Sequence, residues 1–407
     1  MMQLIKLAWR NLWRSRRRTL ITLASVLMAV ALAIAIRSLQ IGVYGNMIGN
    51  AVRFSTGYIQ IHAAGYYDDQ SINNSFVSDD NLQSVIDAQQ NISLAVPRLE
   101  SFALASSGQH TKGVGVMGIH PDAESEMNNL NEKIVQGTYF KTDSDTGILI
   151  GDGLADYLKL KLGDTLVLLG QGFQGATAAG KFPIRAIFHF PLEEINNTLV
   201  YLSLGEAQTL FAAQNRLTSY SIMLNDPKKM DRTRNHLQAG LDERWEVMEW
   251  PAMNKALVQE IQGDNAGGLI MLGILYMVVA FGVFGTILMM TMERKKEFAV
   301  MVAIGLKPTK LSLIVILETI FIGMLGVIAG AVLILPVLIY LHWNPITLTG
   351  AAAQAYQEYG IEPILPTSLD PALFINQGIL VLIITCISGL YPILYVNRFK
   401  IAETLKI

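Results

Sequence analysis

The chain has 407 residues, 51% of them hydrophobic and 16% charged, with a mean hydropathy of +0.37 and a formal net charge of −2. Ordinary soluble domains carry about 25% charged residues, so this composition excludes a simple soluble globular protein. The single cysteine, Cys386, leaves the region outside the apolar segments without disulfides, so any large domain there must be held by its own core.

In chain order, residues 1–19 read as an amphipathic helix at a membrane surface. Leu4, Ile5, Leu7 and Leu12 alternate with Lys6 and Arg10, Trp9 and Trp13 stand four apart, and arginines are placed to meet phosphates. Four apolar segments follow, Leu20–Ile36, Leu269–Met292, Leu311–Tyr340 and Phe374–Val396, each long enough to cross a hydrocarbon core of about 30 Å. Lys6, Arg10, Arg14, Arg16, Arg17 and Arg18 precede the first span. Arg294, Lys295, Lys296, Lys307 and Lys310 lie between the second and third, and Arg398, Lys400 and Lys406 follow the fourth. The positive-inside rule puts these three clusters on the cytoplasmic side, as four spans require. The acidic insert after the first span and the shorter loop 341–373 are then extracytoplasmic. A cleavable signal peptide would share the basic start and the small residues Ala31 and Ala33, but its removal would leave three spans and break this agreement.

The resulting division is an N-terminal helix at 1–19, the first span and a stalk at 20–43, and an outer domain at 44–252. A second stalk and span occupy 253–292 and a cytoplasmic helix 293–308. The third span is 309–340, the outer loop 341–373, the fourth span 374–397 and the tail 398–407. Ile36, Leu39, Val43 and Met47 keep helical spacing past the first span. The outer domain reads as α+β in two lobes. Strands are expected at Gly57–His62, Gly113–Ile119, Gly147–Ile150, Thr165–Leu169, Phe182–Phe190, Thr198–Leu202 and Ser219–Leu224. Helices are expected at Asn81–Gln90, Gly153–Leu160, Leu204–Phe211 and Met230–Gly240. The stretch Gly170–Pro183 reads as a flexible glycine loop with Phe173 as its exposed apolar element.

Motifs for chemistry are sparse. Gly175 to Phe182 matches G-x-x-x-x-G-K but has Phe182 where a phosphate loop needs Ser or Thr, and a strand follows instead of a helix, so it is rejected as an ATP site. The six histidines show no metal-ligand spacing, and nothing points to catalysis or to a nucleic-acid partner. Glu318 lies inside the third span near its basic edge, placed to pair with a lysine or to serve transport. Gly323, Gly326 and Gly330, with Ala29 and Ala33, permit close helix approach within the chain or across a dimer seam. Between spans two and three, a short helix with Phe298, Met301 and Val302 on one side ends at Gly305 and Pro308 and suits docking into a partner's groove.

Here the sequence resembles a known family. Glu293-Arg294-Lys295-Lys296-Glu297 followed by Ala303-Ile304-Gly305 resembles the E-R-x-x-E-I…A-L-G signature of FtsX-like ABC permeases. Ala8 to Leu12, Arg16 to Leu20, Leu317-Glu318, Pro392, Arg398 and Glu403 to Leu405 extend the match. Phe298 stands where Ile is usual, and Lys400-Ile401 where Asp-Pro is common. Gly147 to Gly151, Leu160 to Thr165 and Val200 to Gln208 are similar to the outer domains of the lipoprotein-releasing permeases LolC and LolE and of MacB.

The resemblance implies a bacterial inner-membrane, mechanotransmission-type permease with its large domain in the periplasm. It implies a dimer, homomeric or heteromeric, working with a separate LolD-like ABC ATPase that supplies ATP and Mg²⁺ chemistry, this chain carrying no cofactor. Glu293, Arg294, Glu297, Phe298, Met301, Val302 and Gly305 are the coupling residues so implied. Gly172, Phe173, Gly175 and Lys181 are candidates for docking a periplasmic carrier, and Ile36, Leu39, Val43, Met47 and Met271 for a cargo cavity open to membrane lipids. Lipoprotein or another amphiphile is the expected cargo; an FtsX-like signal transducer and a MacB-like peptide or antibiotic exporter are the alternatives.

Overall fold

A computed structural model describes residues 2–14, 16–358 and 361–390. The chain forms two compact units, one of Met1–Gly45, Glu260–Thr347 and Ile364–Ile407, the other of Asn46–Gln259 and Leu348–Pro363. The end of the fourth span to Val396, with Pro392, and the tail residues Arg398, Lys400, Ile401 and Glu403 to Leu405 lie outside the described residues.

Among the described residues, four helical segments are long and apolar enough to cross a membrane: Arg16–Thr56, Lys255–Glu293, Thr309–Trp343 and Pro371–Ser388, the first unit holding all of them except residues 46–56 and 255–259. The amphipathic helix is Met2–Arg14, and the first long helix begins at Arg16, inside the stretch 1–19 that was expected to precede it. Val26, Val30 and Ile34 of the first span meet Val283 and Ile287 of the second, Leu338 of the third and Val381 of the fourth. Small residues permit this approach. A Cβ on Gly326 would stand 2.5 Å from Val26, and one on Gly330 2.6 Å from the Leu27 carbonyl. One on Gly323 would stand 2.9 Å from Leu382, so all three glycines serve packing within the chain. At the far end of these helices Arg37 donates to Asn265 Oδ1 (2.7 Å), and Gln40 (3.1 Å) and Tyr44 (2.5 Å) donate to the Asp264 carboxylate.

The outer unit is built on one ten-stranded sheet. Its strands are β1 (Ile59–Ala63), β2 (Ile92–Ser106), β3 (Thr111–Ile119), β4 (Ile134–Gly137) and β5 (Ile148–Gly151), followed by β6 (Thr165–Gln171), β7 (Thr177–Phe188), β8 (Leu199–Ser203), β9 (Ser219–Leu224) and β10 (Trp245–Glu249). Their order is β10-β1-β9-β2-β3-β8-β5-β7-β4, with β6 pairing β2 and β7. The pairings β2–β3, β3–β8, β8–β5, β5–β7, β7–β6 and β6–β2 close a ring, a small barrel within the expected α+β domain.

Strand alternation explains how the barrel is filled. Successive side chains point to opposite faces. Leu99, Val114, Val116, Ile148, Ile150, Leu168, Val200 and Leu202 share one core, and their sequence neighbours Met117, Leu149 and Tyr201 join another on the opposite face with Phe54, Phe188 and Phe190. A barrel of this size holds side chains and no channel. The second lobe packs Ile59, Ile61, Ile222 and Val247 against Leu82 and Ile86 of the helix Asp80–Asp87 and Leu237 of the helix Met230–Gly240. Strand β2 serves both lobes: Ile92 to Arg98 pair with β9, and Arg98 to Ser106 pair with β3.

Where the lobes meet, Arg98 is fully buried. Its Nε and Nη2 donate to the two Glu124 oxygens at 2.9 and 2.7 Å, a bidentate pair. Its Nη1 donates to Ser221 Oγ (3.2 Å) and to the Ser55 carbonyl, within the turn Val52–Thr56 that prolongs the first long helix. Beside it, burial and then the Glu124 carboxylate push the Tyr201 phenol well above its ordinary range.

In β1, the buried His62 ring has its Nδ1 3.1 Å from the Ala63 carbonyl, while Nε2 has no partner among the described residues. Burial holds its pKa below the ordinary value, against the smaller opposing effects of that carbonyl and of Glu246.

Two outcomes follow. Arg98→Met strands the buried Glu124 carboxylate and is expected to cost about 3–5 kcal/mol, whereas Arg98→Met with Glu124→Leu recovers most of that loss; urea unfolding of the full chain, read by hydrogen exchange in β2 and β3, measures both. The unfolded chain protonates His62 near pH 6.5 (about the free imidazole value) and the folded chain only at lower pH, so this contribution to stability is full above that pH and lost below it. The melting temperature of the outer unit is expected to drop between pH 7.5 and 5.5, and to drop less in His62→Gln.

Candidate functional site

The segment joining the second and third spans is shaped by local rules. The second span helix ends at Glu293, a short helix occupies Lys295–Ala303, and the third begins at Pro308, the favoured first position for proline. Gly305 has φ +104°, a conformation reserved in practice for glycine. Its N–H donates to the Val302 carbonyl and that of Leu306 to the Met301 carbonyl, both at 3.0 Å, which stops the helix and folds Leu306 back onto it.

One buried carboxylate gathers the surrounding elements. Glu318 of the third span accepts from Arg294 Nη1 (2.7 Å) and from Asn11 Nδ2 of the N-terminal helix (2.8 Å). Arg294, not a lysine, is therefore its partner, and both side chains are nearly inaccessible. The Arg294 guanidinium lies over the Phe298 ring and 3.7 Å from Glu297, which also takes Arg14 at 2.9 Å. Glu293 pairs with Arg18. The N-terminal helix is further seated by Leu12 against Met290 and Ile322, and by Trp9 edge-on to Phe321.

This arrangement reverses which face of the short helix is presented. Phe298, expected to face a partner with Met301 and Val302, is 2% exposed and packs on Leu311 and Val315 of its own chain, with Met301 and Val302 partly buried beside it. The outward face carries Lys296, Val300, Ala303 and Ile304, with Val300 47% and Ile304 81% exposed. The spacing i, i+4, i+7, i+8 defines this stripe and was available in the sequence. Phe298, the larger apolar residue, masks it in the sequence.

The glycine stretch in the outer unit also differs from expectation. Gly170 to Pro183 is a regular hairpin: Gly170 pairs with Ala178, Leu168 with Gly180 and Thr165 with Pro183. Lys181 is a strand residue, and only the turn around Phe173–Gly175 departs from the ladder. Phe173 is half-buried against the barrel core, its N–H donating to the Phe211 carbonyl (2.8 Å) and its ring under the Arg216 guanidinium at 4.1 Å. Gly172 is buried, while Gln174 and Gly175 form the exposed tip. Of the cavity candidates, Ile36, Leu39 and Val43 are half-buried, Met47 is buried in the outer unit, and Met271 is 60% exposed on the second span. Among the described residues no group of His, Cys, Asp or Glu is arranged to hold a metal ion.

Comparison with known proteins agrees with this architecture. Residues 269–401 match the family model for the FtsX-like permease C-terminal region, and residues 19–239, more than half the chain, match that for the MacB-like periplasmic core domain. LolC of Neisseria meningitidis, a lipoprotein-releasing system transmembrane protein, is 22% identical over 95% of this chain and 94% of its own. LolE of Haemophilus influenzae is 20% identical over 80% of each. Among solved structures, the periplasmic region of MacB from Actinobacillus actinomycetemcomitans aligns at 13% identity and a TM-score of 0.35, over 49% of this chain and 91% of its own. The extracellular domain of YknZ from Gram-positive bacteria aligns at 13% and 0.34, over 47% and 99%.

The protein is a membrane-spanning permease with a large periplasmic-type domain between its first two spans. The chain belongs to the FtsX-like ABC transporter permeases that carry a MacB-like periplasmic core.

The buried cluster yields a contrast in stability. Arg294→Ala uncovers Glu318 in a dry site and is expected to cost about 3–5 kcal/mol. Arg14→Ala breaks a pair whose arginine is 67% exposed and is expected to cost no more than about 1 kcal/mol. Thermal unfolding of the two variants in detergent separates them.

Proposed function

We propose that this permease transmits the motion of a separate ABC ATPase, and that the work extracts lipoprotein from the inner membrane toward the outer membrane. The observation that carries the first part is the short helix Lys295–Ala303. It is fixed to the third span by Phe298 on one side and offers Lys296, Val300, Ala303 and Ile304 on the other. An apolar stripe on a rigidly backed helix is the form that groove docking requires. ATP and Mg²⁺ would act in that partner, and this chain would contribute no catalytic group.

The lipoprotein reading is supported by the names of the LolC and LolE relatives and by the near full-length match to the first of them. Raising an acyl chain out of a bilayer must offset about 0.8 kcal/mol per buried CH₂, so passive binding falls far short and coupled ATP hydrolysis is needed. In this reading two permease protomers, identical or paralogous, hold the cargo between their first and second spans, with Ile36, Leu39, Val43 and Met271 facing it. The hairpin tip at Gln174 and Gly175 then meets a periplasmic carrier, in place of Phe173, which is held by Arg216.

Val300→Asp and Ile304→Asp are expected to lower permease-stimulated ATPase turnover at least tenfold in proteoliposomes while leaving the melting temperature of the chain unchanged. Phe298→Asp is expected to lower that temperature as well. ATP-dependent transfer of a triacylated lipoprotein from the same proteoliposomes to a soluble carrier tests the cargo. Normal coupling without any transfer overturns the lipoprotein reading in favour of signal transduction.

A further inference from the structure

The outer wall of the barrel carries an apolar trough that the coupling and carrier contacts do not use. Its volume is about 860 Å³, within the range of small-ligand sites. Strand alternation places Phe102 and Leu104 of β2 on the outward face, where Phe102 is 62% exposed. Opposite them in the ladder stand glycines, Gly115 across from Phe102 and Gly113 across from Leu104, while Leu169 flanks Leu104 on the other side. A Cβ on Gly113 would meet nothing within 4 Å, so the floor is open there, whereas one on Gly115 would stand 3.3 Å from Leu199. The far wall is Leu192, Ile195 and Leu199.

The charge of the lining selects among amphiphiles. Among the described residues no lysine, arginine or histidine lines the trough and the one ionisable group there is Glu194, with the amides of Asn50 and Asn254 as further polar groups. A phosphate headgroup would meet a carboxylate and no cation, which disfavours a phospholipid. An acyl chain on an uncharged thioether-linked glyceride, with the neighbouring amine also acylated, brings apolar surface and only neutral hydrogen-bonding groups. That is the lipid group of a mature triacylated lipoprotein. The trough also ends at Asn50, Ala51, Phe54 and Ser55, the last turns of the helical segment whose earlier part is the first span.

We propose that this trough receives one acyl chain of an N-acylated diacylglyceryl-cysteine cargo after it leaves the bilayer. The inference rests on the lipoprotein reading and adds to it a holding site within the periplasmic-type domain.

The test uses the full-length permease with its ATPase in nanodiscs and a tripalmitoyl-cysteinyl peptide bearing a diazirine at an acyl terminus. A phosphatidylglycerol with the same diazirine chain is the comparison. After addition of ATP and irradiation, the lipopeptide is expected to label the segments holding Phe102, Leu104 and Leu169, and the phospholipid is not. Gly113→Phe fills the open floor and is expected to reduce that labelling at least tenfold, with labelling of the span helices and the melting temperature unchanged. Equal labelling by both lipids, undiminished labelling in Gly113→Phe, or a disulfide formed under an added oxidant between two copies of a Phe102→Cys variant in the absence of lipopeptide overturns the proposal. Label confined to the spans, with ATP-driven transfer intact, also overturns it while leaving lipoprotein release standing. No lipopeptide label anywhere in the chain removes both.

Discussion

The buried pairing of Glu318 with Arg294 is the constraint on which the membrane unit is organised. A carboxylate in the third span is costly to desolvate and is tolerated only where donors converge on it. Arg294 and Asn11 supply them. Because Arg294 caps the short helix and Asn11 belongs to the N-terminal helix, meeting the needs of one acid fixes three otherwise separate segments. The pair does not have to stabilise the fold relative to an apolar alternative; its strength lies in penalising every arrangement in which one partner is left alone. Phe298, under the Arg294 guanidinium, then seals the short helix to the third span and leaves Val300 and Ile304 outward.

A second buried guanidinium plays the corresponding part in the outer unit. Arg98 stands at the point of β2 where pairing passes from β9 to β3, and it holds Glu124, Ser221 and the Ser55 carbonyl together. The last turn of the first long helical segment is thereby tied to both lobes at one residue. Arginine suits this place because its planar fork serves a carboxylate with two nitrogens while the third reaches a carbonyl.

Much of this was legible in the sequence, and the failures have physical causes. The spans and the short helix with its Gly305 stop follow from hydropathy and turn chemistry, which are local. Seven strands and four helices of the outer domain were placed close to their positions because alternation and flanking glycines marked them. Strand β2, the longest, was missed: Pro97, Glu100 and the small residues Ser101, Ala103 and Ala105 blur its pattern. Ring closure is decided by the pairing of β6 with β2, between residues far apart in sequence that carry no mark of each other. Pairing of β6 with β7 makes an apparent glycine loop a hairpin, since glycines at 170 and 180 read as flexibility until the Phe102 carbonyl is seen against the first and the Phe182 ring against the second. Phe298 was placed on the wrong side because size alone does not say whether an apolar residue faces a partner or its own chain.

Ring closure has a consequence for colloidal behaviour. An open sheet of this width would present long rows of unpaired N–H and C=O groups, which recruit any extended chain that drifts past. Here β2, β3, β5, β6, β7 and β8 all have neighbours within the ring, and the strands left at the two ends of the order are the short β4 and β10. The domain therefore offers little template for strand addition. That topology protects the domain from being drawn into mixed aggregates, and the exposed edge at β10 also carries Glu246 and Glu249.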